Sequence, residues 1–288
     1  MLPASPIAFA CFLACLSTSA TGDYRAAVFE YRAVSPCGLE SCGKEQNAAS
    51  LEKFDLAAAD AAAKGCQIIV FPEYGITGFS NLDREAWITG GYAEEVPVSL
   101  SQSLCEGNSL QRYPSTATLS CIAQRHGIVV VANLMEHHEG RLYNTDIAMD
   151  QSGLFVGKYR KKNLWGEQQQ VDVPSGCDVV SFPTHFGVTF GLFTCADLIY
   201  EHPAHHLLAA GIRDFAVPVA WSNEMSQMQV LGYAQGWSLS NGANLLLANH
   251  HGAAESGSGI FSLGRPLASR YSPSPKSKRG GGGFLLVA

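Results

Sequence analysis

Charged residues are scarce in this sequence, and long stretches of positive charge are absent. Asp, Glu, Lys and Arg make up 15% of its 288 residues, and the formal net charge is -6. The basic clusters are short and lie at Lys158–Lys162 and Lys276–Arg279. Because binding to nucleic acid usually needs an extended basic surface, no nucleic-acid partner is expected.

The N-terminus lacks charged side chains, and its apolar run is too short to span a bilayer comfortably. Residues 1–20 contain no acidic or basic residue, hold the apolar stretch Ile7–Leu16 and end in the small residues Thr18–Ala20. Small residues at this point suit cleavage by signal peptidase. We therefore predict a signal peptide at residues 1–20 and a secreted, extracellular protein. Because the segment lacks the usual Lys or Arg, a membrane anchor and a wrong gene start are the alternatives.

Apolar residues make up 47% of the chain, which indicates a compact globular protein with one large domain. Removal of residues 1–20 leaves seven of the nine cysteines, of which six could pair in an oxidising compartment while one is left over. Local disulfides are expected between Cys37 and Cys42, in a turn-rich stretch, and between Cys105 and Cys121, which flank a polar loop. The sequence does not determine the connectivity, and it has no Asn-x-Ser/Thr sequon that would support secretion.

Apolar strand segments alternate with helical segments along the chain. The predicted strands are 24–34, 66–73, 127–134, 143–150, 154–161, 188–195, 214–221 and 244–250, and the predicted helices are 47–64, 115–126, 202–210 and 225–241. Apolar strands covered by helices, together with one hairpin, indicate an α/β layered fold with sheets buried on both faces. After Ser269 the sequence RYSPSPKSKRGGGG is typical of an exposed loop, and the final FLLVA is either a last strand or a truncated end.

Three chemically useful side chains share one position, the carboxyl end of an apolar strand. They are Glu73 after IIVFP, Lys161 after FVGKYR and Cys195 after FGLFT. Ligands bind at that end of the strands in layered α/β folds. A base for the thiol proton, a thiolate nucleophile and a cation that stabilises an oxyanion together suit acyl transfer. Taken singly, each residue has an ordinary alternative: a loop or helix-capping glutamate, a solvated lysine and a cysteine of the core.

Three motifs in a fixed order resemble the nitrilase superfamily of C–N hydrolases. They are FPEYGITG (71–78), YRKKNLWGE (159–167) and GLFTCADLIY (191–200). The resemblance runs from about Tyr24 to Phe261 and implies a nitrilase-like α-β-β-α sandwich with two mixed sheets between helix layers. It further implies a hydrolase domain at residues 23–265, a Pro/Ser/Gly-rich tail at 266–288, and no metal or other cofactor.

The resemblance also assigns the central residues of a catalytic site. Glu73 corresponds to the general base, Lys161 to the cation that stabilises the tetrahedral intermediate, and Cys195 to the nucleophile. Lys161 is chosen over Lys162 because the family pattern of an aromatic residue, a basic residue, Lys, any residue, His or Asn, and Leu selects it. Two neighbours on a strand face opposite sides, so only one can point into the site.

Two further residues follow from the same comparison. Glu167 stands where many members of the superfamily keep a second acidic residue that positions the lysine and the substrate. The backbone N–H of Ala196, next to the nucleophile, is the natural oxyanion donor beside Lys161. Cys195 is then expected to be the unpaired seventh cysteine.

Four more stretches resemble the vanin and biotinidase branch of the superfamily: YNTDIAMD (143–150), NLWGEQQQVDVP (163–174), PVAW (218–221) and GSGIF (257–261). The resemblance implies a secreted or membrane-anchored amidohydrolase that cleaves a small-molecule amide. Pantetheine, giving pantothenate and cysteamine, is the preferred substrate, and biocytin, giving biotin and lysine, is the alternative. The loop that carries Cys105 and Cys121 is also similar to a cysteine-bearing loop of the branch, which supports a disulfide there.

The sequence departs from the branch at three places. Ala196 replaces an aromatic residue after the nucleophile, Ser222 interrupts a Trp-Met-Asn pattern, and the chain stops near the start of the branch's second, C-terminal domain. The chain is therefore interpreted either as a fragment or as a minimal form that dimerises. Homodimerisation and association with a membrane surface are expectations of the same resemblance.

Three other functions compete with this interpretation. A zinc hydrolase would use EHPAHH (201–206), where His202 and His206 lie four residues apart, although no third ligand is indicated. A papain-like hydrolase would pair the cysteine with His250 or His251 as base. A secreted binding protein would keep the fold without activity.

Overall fold

The computed structural model describes residues 23–33, 42–78, 83–99, 101–167, 169–176, 178–223, 229–252, 255–271 and 283–288. The predicted signal peptide at 1–20, Cys37, Cys177 and the basic cluster Lys276–Arg279 lie outside the described residues.

Helices and strands alternate over the described part of the chain. The helices are α1 (Gly43–Ala63), α2 (Arg84–Thr89), α3 (Ser109–Arg112), α4 (Pro114–His126), α5 (Ala204–Ala209) and α6 (Val230–Asn241), and a 3₁₀-helix spans Cys195–Ile199. The strands are β1 (Ala26–Tyr31), β2 (Ile68–Val70), β3 (Val129–His138), β4 (Arg141–Met149), β5 (Phe155–Arg160), β6 (Val180–Pro183), β7 (Thr189–Leu192), β8 (Asp214–Pro218), β9 (Asn244–Ala248), β10 (Ser258–Ser262), β11 (Arg265–Arg270) and β12 (Gly283–Val287). None of the described helices has the length and hydropathy needed to span a membrane.

The strands form two six-stranded sheets. The first has the order β12-β1-β2-β3-β4-β5 and the second the order β11-β10-β9-β8-β7-β6. Both sheets are mixed, because β1, β2 and β3 pair in parallel in one, β7, β8 and β9 in the other, and the remaining pairs are antiparallel.

The two sheets pack face to face, and helices cover their outer faces. Alternation along β1 shows this division, since Val28 faces the second sheet while Phe29 contacts Phe54 of α1. On the outside of the second sheet, Trp237 of α6 packs against the ring of Phe215 with centroids 5.4 Å apart. The predicted α-β-β-α sandwich is confirmed.

The strand and helix predictions agree with the main elements and miss the short ones. The prediction did not include α2, α3, β6, β10 or β11, which are short, and β11 is largely exposed with Arg, Pro and Ser among its residues. The predicted tail 266–288 therefore opens with β11, paired to β10, and its end forms β12, paired to β1. Packing against an existing strand decides such segments, because their own apolar pattern is weak.

One predicted disulfide is confirmed, but the predicted number of unpaired cysteines is wrong. Cys105 and Cys121 form the predicted disulfide, with their Cα atoms 4.7 Å apart, and Cys42 is also disulfide-bonded. The expectation that Cys195 alone is left over is wrong, because Cys66 is free as well. Cys66 is 5% exposed among the apolar side chains around α1, where it packs as a small apolar residue.

Candidate active site

The three predicted catalytic side chains lie in one cavity. Glu73 follows β2, Lys161 follows β5, and both strands run in the same direction because two antiparallel pairings separate β3 from β5. Cys195 follows β7 of the second sheet. All three line a cavity of about 250 Å³, so the fold brings together residues that are far apart in sequence.

Lys161 lies between two carboxylates. Its Nζ atom is 2.7 Å from Oε1 of Glu73 and 2.9 Å from Oε1 of Glu167. The lysine side chain is 1% exposed, so both ion pairs are shielded from water. A buried ammonium is stable only when it is paired in this way.

Glu73 is held by three further contacts. Asn144 donates from Nδ2 to its Oε1 at 2.7 Å, and the backbone N–H of Ala220 donates to its Oε2 at 2.7 Å. The thiol of Cys195 hydrogen-bonds the same carboxyl group. The carboxylate is therefore in direct contact with both the lysine and the thiol, in the position that a base needs.

The backbone at Cys195 has an unusual conformation. Its φ is 48°, and Tyr74, next to Glu73, has a φ of 53°. Residues other than glycine seldom adopt positive φ, and they do so mainly where the surrounding structure forces it, often at active sites. The surrounding structure therefore holds Tyr74, beside the predicted base, and Cys195, the predicted nucleophile, in this conformation.

A capping box fixes the start of the 3₁₀-helix that carries Cys195. The side chain of Thr194 accepts from the backbone N–H of Asp197, and the Asp197 carboxylate accepts from the N–H of Thr194 at 3.0 Å. Thr194 Oγ1 also lies 2.5 Å from Oδ2 of the buried Asp146, and Tyr159 donates to Asp197 at 2.8 Å. Side chains from β4 and β5 of the first sheet therefore hold the cysteine loop of the second.

The ion pair between Glu73 and Lys161 stabilises the charged form of both groups. Burial by itself would raise the pKa of Glu73, but the neighbouring ammonium of Lys161 and the hydrogen bonds to the carboxylate lower it. Burial by itself would lower the pKa of Lys161, but Glu73, Cys195 and Glu167 raise it well above its ordinary value. At rest Glu73 is therefore a carboxylate and Lys161 an ammonium.

The thiol is not ionised at rest. Burial, together with the negative charge of Glu73, raises the pKa of Cys195 well above its ordinary value. Burial also raises the pKa of Glu167 in spite of Lys161 beside it. The thiol consequently needs a base to remove its proton, and Glu73 is in contact with it.

Lys162 and Ala196 lie where the sequence predicts them, whereas the position of Asn144 was not predicted. Lys162 points away from the cavity and donates to the carbonyls of Pro174 and Gly176, at 3.0 and 3.1 Å. Ala196 lines the cavity beside Cys195. Sequence reasoning did not find Asn144, which holds Glu73, although the stretch YNTDIAMD that contains it had been recognised as typical of the branch.

The rival histidines serve other purposes. His250 is buried, and its Nε2 lies 2.5 Å from the backbone carbonyl oxygen of Glu73, while His251 contacts Glu30 at 3.1 Å. His202 precedes α5 instead of lying on it, and its ring packs against that of His206 with centroids 5.0 Å apart. Over the part of the chain that the structure describes, no three His, Cys, Asp or Glu side chains are grouped to hold a metal ion.

Comparisons with known proteins support the fold and identify the family. The profile of the carbon-nitrogen hydrolase family matches residues 33–264. Solved structures of an amidase of Nesterenkonia from the nitrilase superfamily superpose with a TM-score of 0.68 at 21% identity, over 92% of this chain and 90% of that chain. The chain belongs to the carbon-nitrogen hydrolase family.

Curated relatives of this chain include pantetheinases and biotinidases. A pantetheinase of Sus scrofa is 32% identical over 90% of this chain, and a biotinidase of Takifugu rubripes is 31% identical over 91% of it. The chain spans about half the length of these curated relatives, 54% of the first and 56% of the second.

Proposed function

We propose that this protein is an amidohydrolase that cleaves linear amides through a thioester on Cys195. The observation that carries the proposal is the contact of one carboxylate, Glu73, with both the thiol and the ammonium of Lys161, which lies 2.7 Å away. The similarity to pantetheinases and to a biotinidase supports the same reaction class.

In the first half of the reaction Glu73 takes the proton of the Cys195 thiol as the sulfur attacks the amide carbon. A C–S bond forms, and the electron pair of the C=O bond moves to the oxygen, where Lys161 Nζ and the N–H of Ala196 stabilise the negative charge. The C–N bond then breaks, and Glu73 returns its proton to the leaving nitrogen. The amine departs, and the acyl group remains as a thioester.

In the second half water replaces the amine. Glu73 takes a proton from the water as its oxygen attacks the thioester carbon, and the same two donors stabilise the second oxyanion. The C–S bond breaks, the thiolate recovers the proton from Glu73, and the carboxylic acid is released. Glu167 holds the ammonium of Lys161 in place, 2.9 Å away, during both halves.

The preferred substrate is pantetheine, which would give pantothenate and cysteamine, and the alternative is biocytin, which would give biotin and lysine. Both relatives cover the chain almost equally, so similarity alone does not separate these amides. Incubation with each amide, followed by mass-spectrometric identification of acid and amine, tests the proposal. Release of amine by the wild-type protein but not by Cys195→Ala supports it, and intact amide in both samples favours the inactive binding protein.

We also propose that the protein is exported. The disulfide between Cys105 and Cys121 supports an oxidising compartment, and residues 1–20 have the features of a signal peptide. Sequencing the N-terminus of protein collected from the medium of expressing cells tests this proposal, and a mature terminus after residue 20 is expected. Homodimerisation and association with a membrane surface stay predictions.

A further inference from the structure

The described residues that line the catalytic cavity carry more negative than positive charge. Three carboxylates line it, Glu73, Glu167 and Glu255, against the one ammonium of Lys161. Lys161 is 1% exposed and paired with Glu73 and Glu167, so it leaves Glu255 without a counter-ion inside the cavity. A cavity with this charge attracts cations and repels anions.

Glu255 is the least buried of these carboxylates. Its side chain is 22% exposed, and its Oε2 atom is 3.3 Å from Arg32 and 3.6 Å from His250. The buried Oε2 makes no hydrogen bond of good geometry, although buried carboxylate oxygens normally accept one. The contact with His250 lowers the pKa of Glu255 against the opposing effect of burial, so the group is ionised at neutral pH.

Indole rings stand in the same cavity. Trp221 and Trp165 both line it, and Trp165 is 55% exposed. The ring of Trp221 is supported by Tyr233, with centroids 5.6 Å apart. Indole faces attract ammonium groups, and a carboxylate with aromatic neighbours is a common recognition site for such groups.

His250 links Glu255 to the segment that carries the predicted base. One ring nitrogen of His250 lies 2.5 Å from the backbone carbonyl oxygen of Glu73, and the other faces Glu255. In the proposed reaction Glu73 returns a proton to the leaving nitrogen, so the leaving amine lies near Glu73. Through His250, Glu255 therefore connects to the segment that carries the predicted base, beside which the amine departs in the proposed reaction.

We propose that Glu255 is a specificity-determining residue that selects amides whose leaving amine carries a second, protonated amino group. This inference rests on the proposed amidohydrolase function and adds a substrate class to it. Lysine released from biocytin has a second, protonated amino group and cysteamine released from pantetheine has none, so the inference favours biocytin-type amides over pantetheine. The substrate's ammonium group takes the buried oxygen of Glu255, while the Arg32 side chain, 53% exposed, can turn to solvent.

The test uses three pantothenoyl amides of matched length, made from 1,2-diaminoethane, propylamine and β-alanine. Their leaving amines end in a cation, an apolar methyl group and an anion. We expect kcat/KM for the cationic amide to exceed that for the neutral amide by about tenfold, and the anionic amide to be the poorest substrate. In Glu255→Gln the cationic-to-neutral ratio falls to within about threefold of unity, because the amide side chain keeps the shape but not the charge.

Two further variants serve as controls. Glu255→Asp keeps the charge and recovers part of the preference, whereas Glu201→Gln, at an exposed glutamate outside the cavity, retains the wild-type ratio. Circular dichroism and Tm of each variant establish that it is folded. A wild-type protein without cationic preference, or a preference that survives in Glu255→Gln, overturns the proposal.

Calorimetric binding separates this inference from the function on which it rests. The cationic and neutral amides are titrated into Cys195→Ala and into Cys195→Ala combined with Glu255→Gln, neither of which can form the thioester. A binding preference that needs Glu255, without turnover by the wild type, upholds the subsite and contradicts the amidohydrolase. Turnover without preference does the reverse, and the lack of both overturns both.

Discussion

Asn144 joins the two carboxylates of the site through one amide group. Its Nδ2 atom donates to Oε1 of Glu73 at 2.7 Å and to Oε1 of Glu167 at 3.2 Å. Lys161 contacts the same two oxygen atoms, at 2.7 and 2.9 Å. The amide and the ammonium thus hold the two acidic side chains side by side, although three separate segments of the chain supply the four groups.

Asn144→Asp should reduce activity, since it replaces the donor with a third carboxylate. A hydrogen bond to a charged group contributes about 1.5–3 kcal/mol, so we expect kcat/KM for pantetheine to fall by about tenfold to a hundredfold. Steady-state kinetics of amine release measures the loss. Asn108→Asp, at an exposed position, is the matched control. Equal activity of both variants would show that Asn144 does not hold the base.

Lys161→Arg should be far more harmful than Lys162→Arg. The guanidinium keeps the charge but does not fit between two carboxylates that contact a compact ammonium at 2.7 and 2.9 Å. Loss of an oxyanion donor costs about a hundredfold to a thousandfold in kcat, and a loss of at least about a hundredfold is expected. Lys162 binds loop carbonyls outside the cavity, so its variant stays near wild type. Similar losses in both variants would contradict the assignment.

Asp146 should make folding stability depend on pH. Burial raises the pKa of this carboxyl group from 3.8 to about 8, so between these values the folded chain keeps a proton that the unfolded chain has lost. The stabilisation by this group is complete below pH 3.8 and disappears as the pH rises through about 8. Asp146→Asn keeps a neutral group at all pH values, so its Tm relative to wild type should be higher at pH 9 than at pH 5, by about 3 °C or more.

Thermal unfolding at pH 5, 7 and 9 provides the comparison for Asp146. The exposed Asp178→Asn variant controls for a change in net charge. If the Tm difference between Asp146→Asn and wild type is the same at all three pH values, Asp146 is ionised in the folded protein.

Removal of the disulfide should destabilise the fold without touching the cavity. Cys105 and Cys121 are 16 residues apart in sequence, and closing a loop of that length stabilises a protein by about 3 kcal/mol. The double variant Cys105→Ala with Cys121→Ala should lose this amount of unfolding free energy, measured by urea unfolding, relative to wild type. Cys66→Ala removes only a buried free thiol and should cost about 1 kcal/mol. A double variant as stable as wild type would mean that the loop is ordered without the bond.

Much of the site could be predicted because its chemistry lies in short local motifs. Glu73, Lys161 and Cys195 each end a strand whose apolar run is visible in the sequence, and the structure places all three in one cavity. Asn144 could not be assigned a role in this way, since an asparagine inside a strand has no chemical signal until its partner is known. Its contact with Glu73 spans 71 residues of sequence.

Strands at the exposed edges of the sheets were harder still to predict from the sequence. β11 reads as a loop from its Arg, Pro and Ser residues, and it is a strand because β10 offers its edge. Tertiary structure also decides that Cys66 is unpaired. It is buried near α1, and the number of cysteines in the sequence does not reveal this.

The sequence by itself determined the layered α/β class and pointed to the three side chains proposed as catalytic, because apolar periodicity and short motifs act within a few residues of the chain. Tertiary structure alone decided which groups surround them: that Asn144 and Ala220 hold Glu73, that Asp146 supports Thr194, and that Glu255 faces the cavity. These contacts join segments that are distant in sequence, and the pKa of each buried group depends on them. Packing of the two sheets, which no local pattern encodes, sets those distances.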